Sequence, residues 1–161
     1  MTMRGKFTTP GTSIHYYVVE FDPASLSWED FRGSVLGPTD PKDAPAGALR
    51  GIIAADWKGL GLKAPCNGGD NAVHASASPF EGLAERTNWL AVPIADDPFG
   101  KALLDAGVPE ATIKKWSSDP QVKYDEETAK ALGKPKGSIF DALEDLDYEA
   151  CVARCVAVSK A

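Results

Sequence analysis

Asp70-Asn-Ala-Val-His74-Ala-Ser-Ala-Ser78-Pro-Phe-Glu81 carries the chain from an extended segment into its most strongly signalled helix. Ser78 is a preferred N-cap residue, because its hydroxyl accepts from an amide that the first helical turn leaves without a partner. Pro79 suits the first helical position, where its missing N–H costs nothing, and Glu81 at the third completes a capping box. The helix is expected to reach Leu90. His74 therefore stands at the end of extended chain, just ahead of a helix start.

Toward the N-terminus, residues 52–56 read as a strand. Residues 13–21, Ser-Ile-His-Tyr-Tyr-Val-Val-Glu-Phe, are rich in β-branched and aromatic types and read as a buried strand ended by Asp22-Pro23. A short helix is expected over residues 27–35, capped by Ser27 with Asp30 three positions on and closed by Leu36-Gly37-Pro38. Residues 37–51 hold three prolines and three glycines, too many for regular structure, and carry Thr39, Lys42 and Arg50. Long irregular loops of this kind are functional or disordered. Residues 57–69 form a Gly-rich excursion. Toward the C-terminus, Asp97-Pro98 and Pro109 open two short helices separated at Gly107. Ser138 with Asp141 opens a last amphipathic helix through Leu143, Leu146, Tyr148, Cys151, Val152 and Cys155.

The 161 residues include 17 basic and 23 acidic side chains, a net charge of −6 and a pI of about 4.9. General nucleic-acid binding rests on neutralising phosphates along an extended basic surface, which this composition disfavours, so any anion must be held locally. The 15 Gly and 12 Pro make up roughly a sixth of the chain and predict a large loop content. A hydrophobic fraction of 43% still permits a core, and the length suits one domain. No apolar run approaches the ~20 residues that span a bilayer, and no signal-peptide segment follows the first residues. The chain is thus expected to be soluble, intracellular and cytoplasmic, with no membrane partner. Cys66, Cys151 and Cys155 have neither disulfide-framework nor zinc-site spacing. Cys151 and Cys155, one helical turn apart, read as small buried residues, with a redox pair as the alternative.

Of the two histidines, His74 has the richer surroundings: Asn71 precedes it by three positions, Ser76 follows by two, and Glu85 lies about two turns into the next helix. A carboxylate approaching from that helix can hold one ring nitrogen as a donor and leave the other as a nucleophile toward phosphorus or an acyl carbon. The ordinary alternative is a structural hydrogen bond. His15, inside the expected strand, reads as a packed residue.

Asn71-Ala-Val-His74-Ala-Ser76 resembles the active-site signature of the nucleoside diphosphate kinases, in which Asn, two residues, His, a small residue and Ser surround a phosphorylated histidine. Leu36-Gly-Pro-Thr39-Asp-Pro41, followed by Pro45-Ala-Gly47-Ala-Leu-Arg50-Gly51, is similar to that family's nucleotide-binding loop. Glu85 and Trp89 fall where the family places the glutamate that orients the histidine and an aromatic residue in the same helix. The resemblance spans residues 13–90. It implies a phosphotransferase that moves the γ-phosphate of a nucleoside triphosphate to a nucleoside diphosphate through a phosphohistidine on His74, with Glu85 and Ser76 orienting the ring. It further implies that Arg32, Thr39 and Arg50 hold the β- and γ-phosphates, that Asn71 bonds the sugar, and that Mg²⁺ arrives on the phosphates rather than on protein ligands. Arg32 precedes Thr39 by seven residues, whereas the family's spacing falls on Gly33.

The resemblance implies an α/β (α+β) fold with a ferredoxin-like sheet. The family's Lys-Pro-Asp motif and the tyrosine after it have no counterpart here, so the sheet is expected to be incomplete or rearranged. Residues 148–158 would supply a strand in place of a helix, or a second polypeptide would complete the sheet. The remaining alternative is a catalytically incomplete structural or interaction subunit of a larger assembly. The implied partners are nucleoside tri- and diphosphates, with a complementing chain or a homo-oligomer. The expected organisation is a nucleoside diphosphate kinase-like core over residues 1–92, containing the binding loop 37–51, the insertion 57–69 and the histidine segment 70–90. A helical C-terminal extension follows over residues 93–161.

Overall fold

The computed structural model describes residue 5 and residues 8–161. The chain divides into two compact units, Met1–Ala75 and Ser76–Ala161. This boundary lies ahead of the helix that the sequence reading grouped with the N-terminal core, rather than after Val92.

In the first unit, Ser27 Oγ accepts from the Asp30 amide at 3.0 Å and starts helix α1 (Trp28–Asp30), which widens into a π-helical turn, Phe31–Leu36. Phe21 anchors the preceding chain by stacking on Phe31 at 5.0 Å. The turn closes at Gly37, whose φ of 97° lies in the left-handed region and where a Cβ would meet those of Ala44 and Ala48 at 3.1 and 3.2 Å. Backbone and packing both call for glycine there. A 3₁₀ turn, Pro41–Asp43, then leads to helix α2 (Leu49–Ala55).

Two expected strands do not form. Residues 13–21 carry no regular structure, and Ile14, Tyr16, Tyr17, Val18 and Val19 are exposed, Tyr17 to 86%. The β-propensity of these residues expresses how they pack on a pleated, half-buried surface, and among the described residues no strand lies beside them to provide one. Residues 52–55 belong instead to α2 and Asp56 to its C-cap; so short an apolar run fits either period. Residues 70–74 are not plain extended chain either. Asn67 and Asp70 form an isolated bridge, and the Val73 amide turns back onto the Asn71 carbonyl at 2.9 Å around Ala72, whose φ is 69°. That is a γ-turn. A ferredoxin-like sheet is therefore absent among the described residues.

The second unit holds the hydrophobic core. Helix α3 (Pro79–Leu90) starts as the sequence predicts: Ser78 Oγ accepts from the Glu81 amide at 3.1 Å, and the Glu81 carboxylate accepts from the Ala77 amide. Phe80 and Leu83 from α3 join one core with Leu103 of α4 (Pro98–Asp105) and with Ile113 and Trp116 of α5 (Glu110–Trp116). Strands β1 (Gln121–Lys123) and β2 (Lys136–Ser138) flank α6 (Glu126–Leu132) and pair antiparallel, with Val122 opposite Gly137. Helices α7 (Ile139–Leu143) and α8 (Tyr148–Ser159) complete the unit, α8 contributing Cys151, Cys155 and Val158 to the core. Helices with a two-stranded antiparallel sheet make this an α+β protein.

The C-terminal part departs from its expected, purely helical form. Three-residue strands carry no readable period, and β2 contains Gly137, a residue type depleted in strands. Its glycine is required by packing, since a Cβ would lie 2.4 Å from the Tyr124 hydroxyl that donates to the Ser138 carbonyl at 2.7 Å. The last helix, expected to run unbroken from Ser138, is split after Leu143. Asp145 takes a φ of 58°, and its amide bonds the Ala77 carbonyl at 2.9 Å. Residues 148–158 are helical and supply no strand.

Asp97 ties α3 to α4. Its Oδ1 accepts from the Phe99 and Gly100 amides at 2.8 and 3.0 Å, and its Oδ2 pairs with Arg86 from α3. The carboxylate is buried, so Asp97→Ala removes a cap and strands a guanidinium. A loss of about 3 kcal/mol is expected by chemical denaturation; a variant as stable as the wild type would refute it. The cysteines give a second check. Cys151 and Cys155 are fully buried, and the hydrogen bond shared with Cys151, together with burial, pushes the Cys155 thiol well above the ordinary range, whereas Cys66 is half-buried. Native thiol titration should show one fast-reacting group, at Cys66, and two that react only on unfolding.

Candidate functional site

Arg50 lies in the first turn of α2, and its guanidinium reaches the two segments that the sequence singled out. Nη1 donates to the Gly37 carbonyl at 2.7 Å, while Nε and Nη2 both donate to the Val73 carbonyl at 3.2 and 2.8 Å. Asn71 Nδ2 donates to the Thr39 carbonyl at 3.2 Å. Loop 37–51 and segment 71–74 are thereby joined by bonds between residues 23 and 32 positions apart. His74 follows directly on Val73 and is exposed.

Arg50 itself is only 9% exposed. Burial, with the positive charge of Arg32 nearby, pulls its pKa below the ordinary guanidinium value; it stays protonated at neutral pH. Two cationic groups thus lie close together at the loop. Lys42 is paired with Asp40 at 2.8 Å, which raises the lysine's pKa and lowers the aspartate's.

The first unit therefore brings Thr39, Arg50 and Asn71 together, with Arg32 in electrostatic reach of Arg50 and His74 beside Arg50's acceptor. Their roles differ from the implied ones in detail. Arg50 aims its fork at carbonyls, Thr39 takes part through its backbone oxygen, and the Asn71 amide donates to that oxygen. In the second unit Ser76 Oγ donates to Glu85 Oε2 at 2.5 Å, so these two form a pair across the N-terminal half of α3. Trp89, near the end of the same helix, is exposed.

A cavity of about 350 Å³ opens beside the γ-turn, lined by Leu62, Lys63, Ala64, Cys66, Asp70 and Ala72. His74 does not line it. Sequence reasoning missed Val73, which acts through its carbonyl, and the turn at Ala72. No sequence signal marks either, because a backbone oxygen has no residue type and alanine rarely takes a positive φ. Gly37, at a helix end, carried the ordinary glycine signal.

Among the described residues there is no cluster of three or more His, Cys, Asp or Glu side chains able to hold a metal ion. Nor is any helix among them long and apolar enough to cross a membrane. The chain matches no protein-family model, no curated protein and no solved structure.

Proposed function

We propose that this protein is a nucleoside diphosphate kinase-like phosphotransferase with His74 as its nucleophile. The observation that carries this reading is the joining of loop 37–51 to segment 71–74 by Arg50 and Asn71, which sets two arginines and an exposed histidine in one unit. In the first half-reaction a neutral imidazole nitrogen of His74 attacks the γ-phosphorus of a nucleoside triphosphate. The N–P bond forms, the bond from the γ-phosphorus to the bridging oxygen breaks, and the diphosphate leaves with the electron pair. In the second, a terminal oxygen of an acceptor diphosphate attacks the phosphorus, and the N–P pair returns to the ring. Arg32 and Thr39 would meet the phosphate charge, and Asn71 would bond the sugar. Mg²⁺, carried on the phosphates, would supply charge neutralisation there.

The test is incubation with γ-labelled ATP and Mg²⁺. Acid-labile, alkali-stable label on the protein, discharged by unlabelled GDP, is expected; protein that takes no such label overturns the reading.

The second reading is a catalytically incomplete interaction subunit, favoured by the exposed apolar run Ile14, Tyr16, Tyr17, Val18 and Val19. It predicts a stable hetero- or homo-complex by native mass measurement together with an absence of label.

A further inference from the structure

The geometry points to Arg50 as a positioning residue for His74, acting through the peptide bond that joins Val73 to His74; this role rests on the phosphotransfer reading above. The Val73 carbonyl and the His74 amide belong to one planar unit. A donor pair that fixes the oxygen therefore fixes the plane from which the His74 side chain departs. Arg50 supplies that pair, with Nε at 3.2 Å and Nη2 at 2.8 Å from the one oxygen, while Nη1 at 2.7 Å ties the same guanidinium to Gly37. Three of the five N–H groups of the fork are used on backbone carbonyls.

The segment needs such a strut. Ala72 has a φ of 69°, a strained conformation for a residue with a Cβ, and strain of this sort persists only where the surroundings over-determine it. The anchors stand on either side: Asn71 on the Thr39 carbonyl and Val73 under Arg50. Burial of Arg50 keeps water from competing for the carbonyls. Lysine, a single-headed donor on a flexible stem, cannot reproduce a planar fork bridging two oxygens. Arg50 is thus a strut that sets where His74 points, while the phosphates fall to Arg32 and Thr39.

The test compares Arg50→Lys and Arg50→Gln with the wild type, full chain in each case. Without nucleotide, the Val73 carbonyl ¹³C resonance should move upfield in Arg50→Lys as its hydrogen bonds are lost; an unchanged resonance overturns the strut. With γ-labelled ATP and Mg²⁺, the rate of phosphohistidine formation in Arg50→Lys should fall about 100-fold, as misplacement of a reacting group predicts. The calorimetric Kd for MgADP should meanwhile stay within about threefold. A Kd that weakens as much as the rate falls makes Arg50 a phosphate ligand and overturns the proposal. Arg50→Gln, planar but neutral, should keep MgADP binding as Arg50→Lys does; loss of binding in this variant alone also overturns it. Wild-type protein that takes no label fails the phosphotransfer reading, while the Val73 resonance still decides whether the strut exists.

Discussion

On the proposed phosphohistidine mechanism, His74→Ala is expected to abolish the acid-labile label from γ-labelled ATP and to lower nucleoside diphosphate phosphorylation by at least ~10³-fold. The size follows from removing a nucleophile rather than weakening a contact, since no other group then offers the attacking electron pair, and loss of a nucleophile removes nearly the whole of covalent catalysis. The measurement is phosphotransfer from ATP to GDP alongside intact-protein labelling. His15→Ala is the matched control. His15 is the other histidine, exposed in the irregular segment 13–21, and its replacement is expected to leave label and rate unchanged. Label that persists in His74→Ala, or that disappears in His15→Ala, overturns the assignment.

Phe80→Ala destabilises the second unit by about 3–5 kcal/mol, the cost of removing a buried aromatic ring and leaving a cavity. Phe80 is fully buried, with edge-on contacts to Trp116 at 6.1 Å and Phe140 at 6.0 Å, and it joins α3 to the helices that follow. Against the 5–15 kcal/mol typical of a folded domain, this leaves the unit close to marginal, with Tm lower by on the order of 15–30 °C. Calorimetry reads the shift. Tyr17→Ala is the contrast: its ring is 86% exposed, so a change under about 0.5 kcal/mol is expected. Similar losses in the two variants would refute this placement of the core.

The pair of predictions follows the uneven distribution of buried surface. Among the described residues, all the exposed large apolar side chains except Trp89 and Tyr148 fall between positions 14 and 62, whereas the core cluster begins at Phe80. Amide exchange should accordingly be fastest over the N-terminal segment and slowest in α3 and α8.

Local chemistry was legible wherever a few neighbouring residues decide the outcome. Ser78, Pro79 and Glu81 placed α3 to the residue, and Ser27 with Asp30 placed α1, because a cap is a hydrogen bond between residues two or three apart. Asp97 before Pro98 opened α4 for the same reason. The resemblance also singled out loop 37–51 and Asn71 to His74, and the fold joins those segments. How they are joined was not legible, because Arg50 acts on carbonyl oxygens that every residue carries.

The strands were misread for a different reason. Residues 13–21 have the composition of a strand, yet a strand is completed by hydrogen bonds and side-chain neighbours from distant chain, and among the described residues none stands beside them. Residues 52–56 were apolar enough for either period, and α2 is what formed over residues 49–55. The hairpin of β1 and β2 escaped notice because its three-residue strands are held by Tyr124 reaching across Gly137. Helix starts, turn glycines and the candidate histidine thus belong to the sequence, being set by interactions a few residues long. Strand pairing, the break after Leu143 and the grip of Arg50 on the peptide before His74 belong to the tertiary structure, since each depends on a partner many positions away.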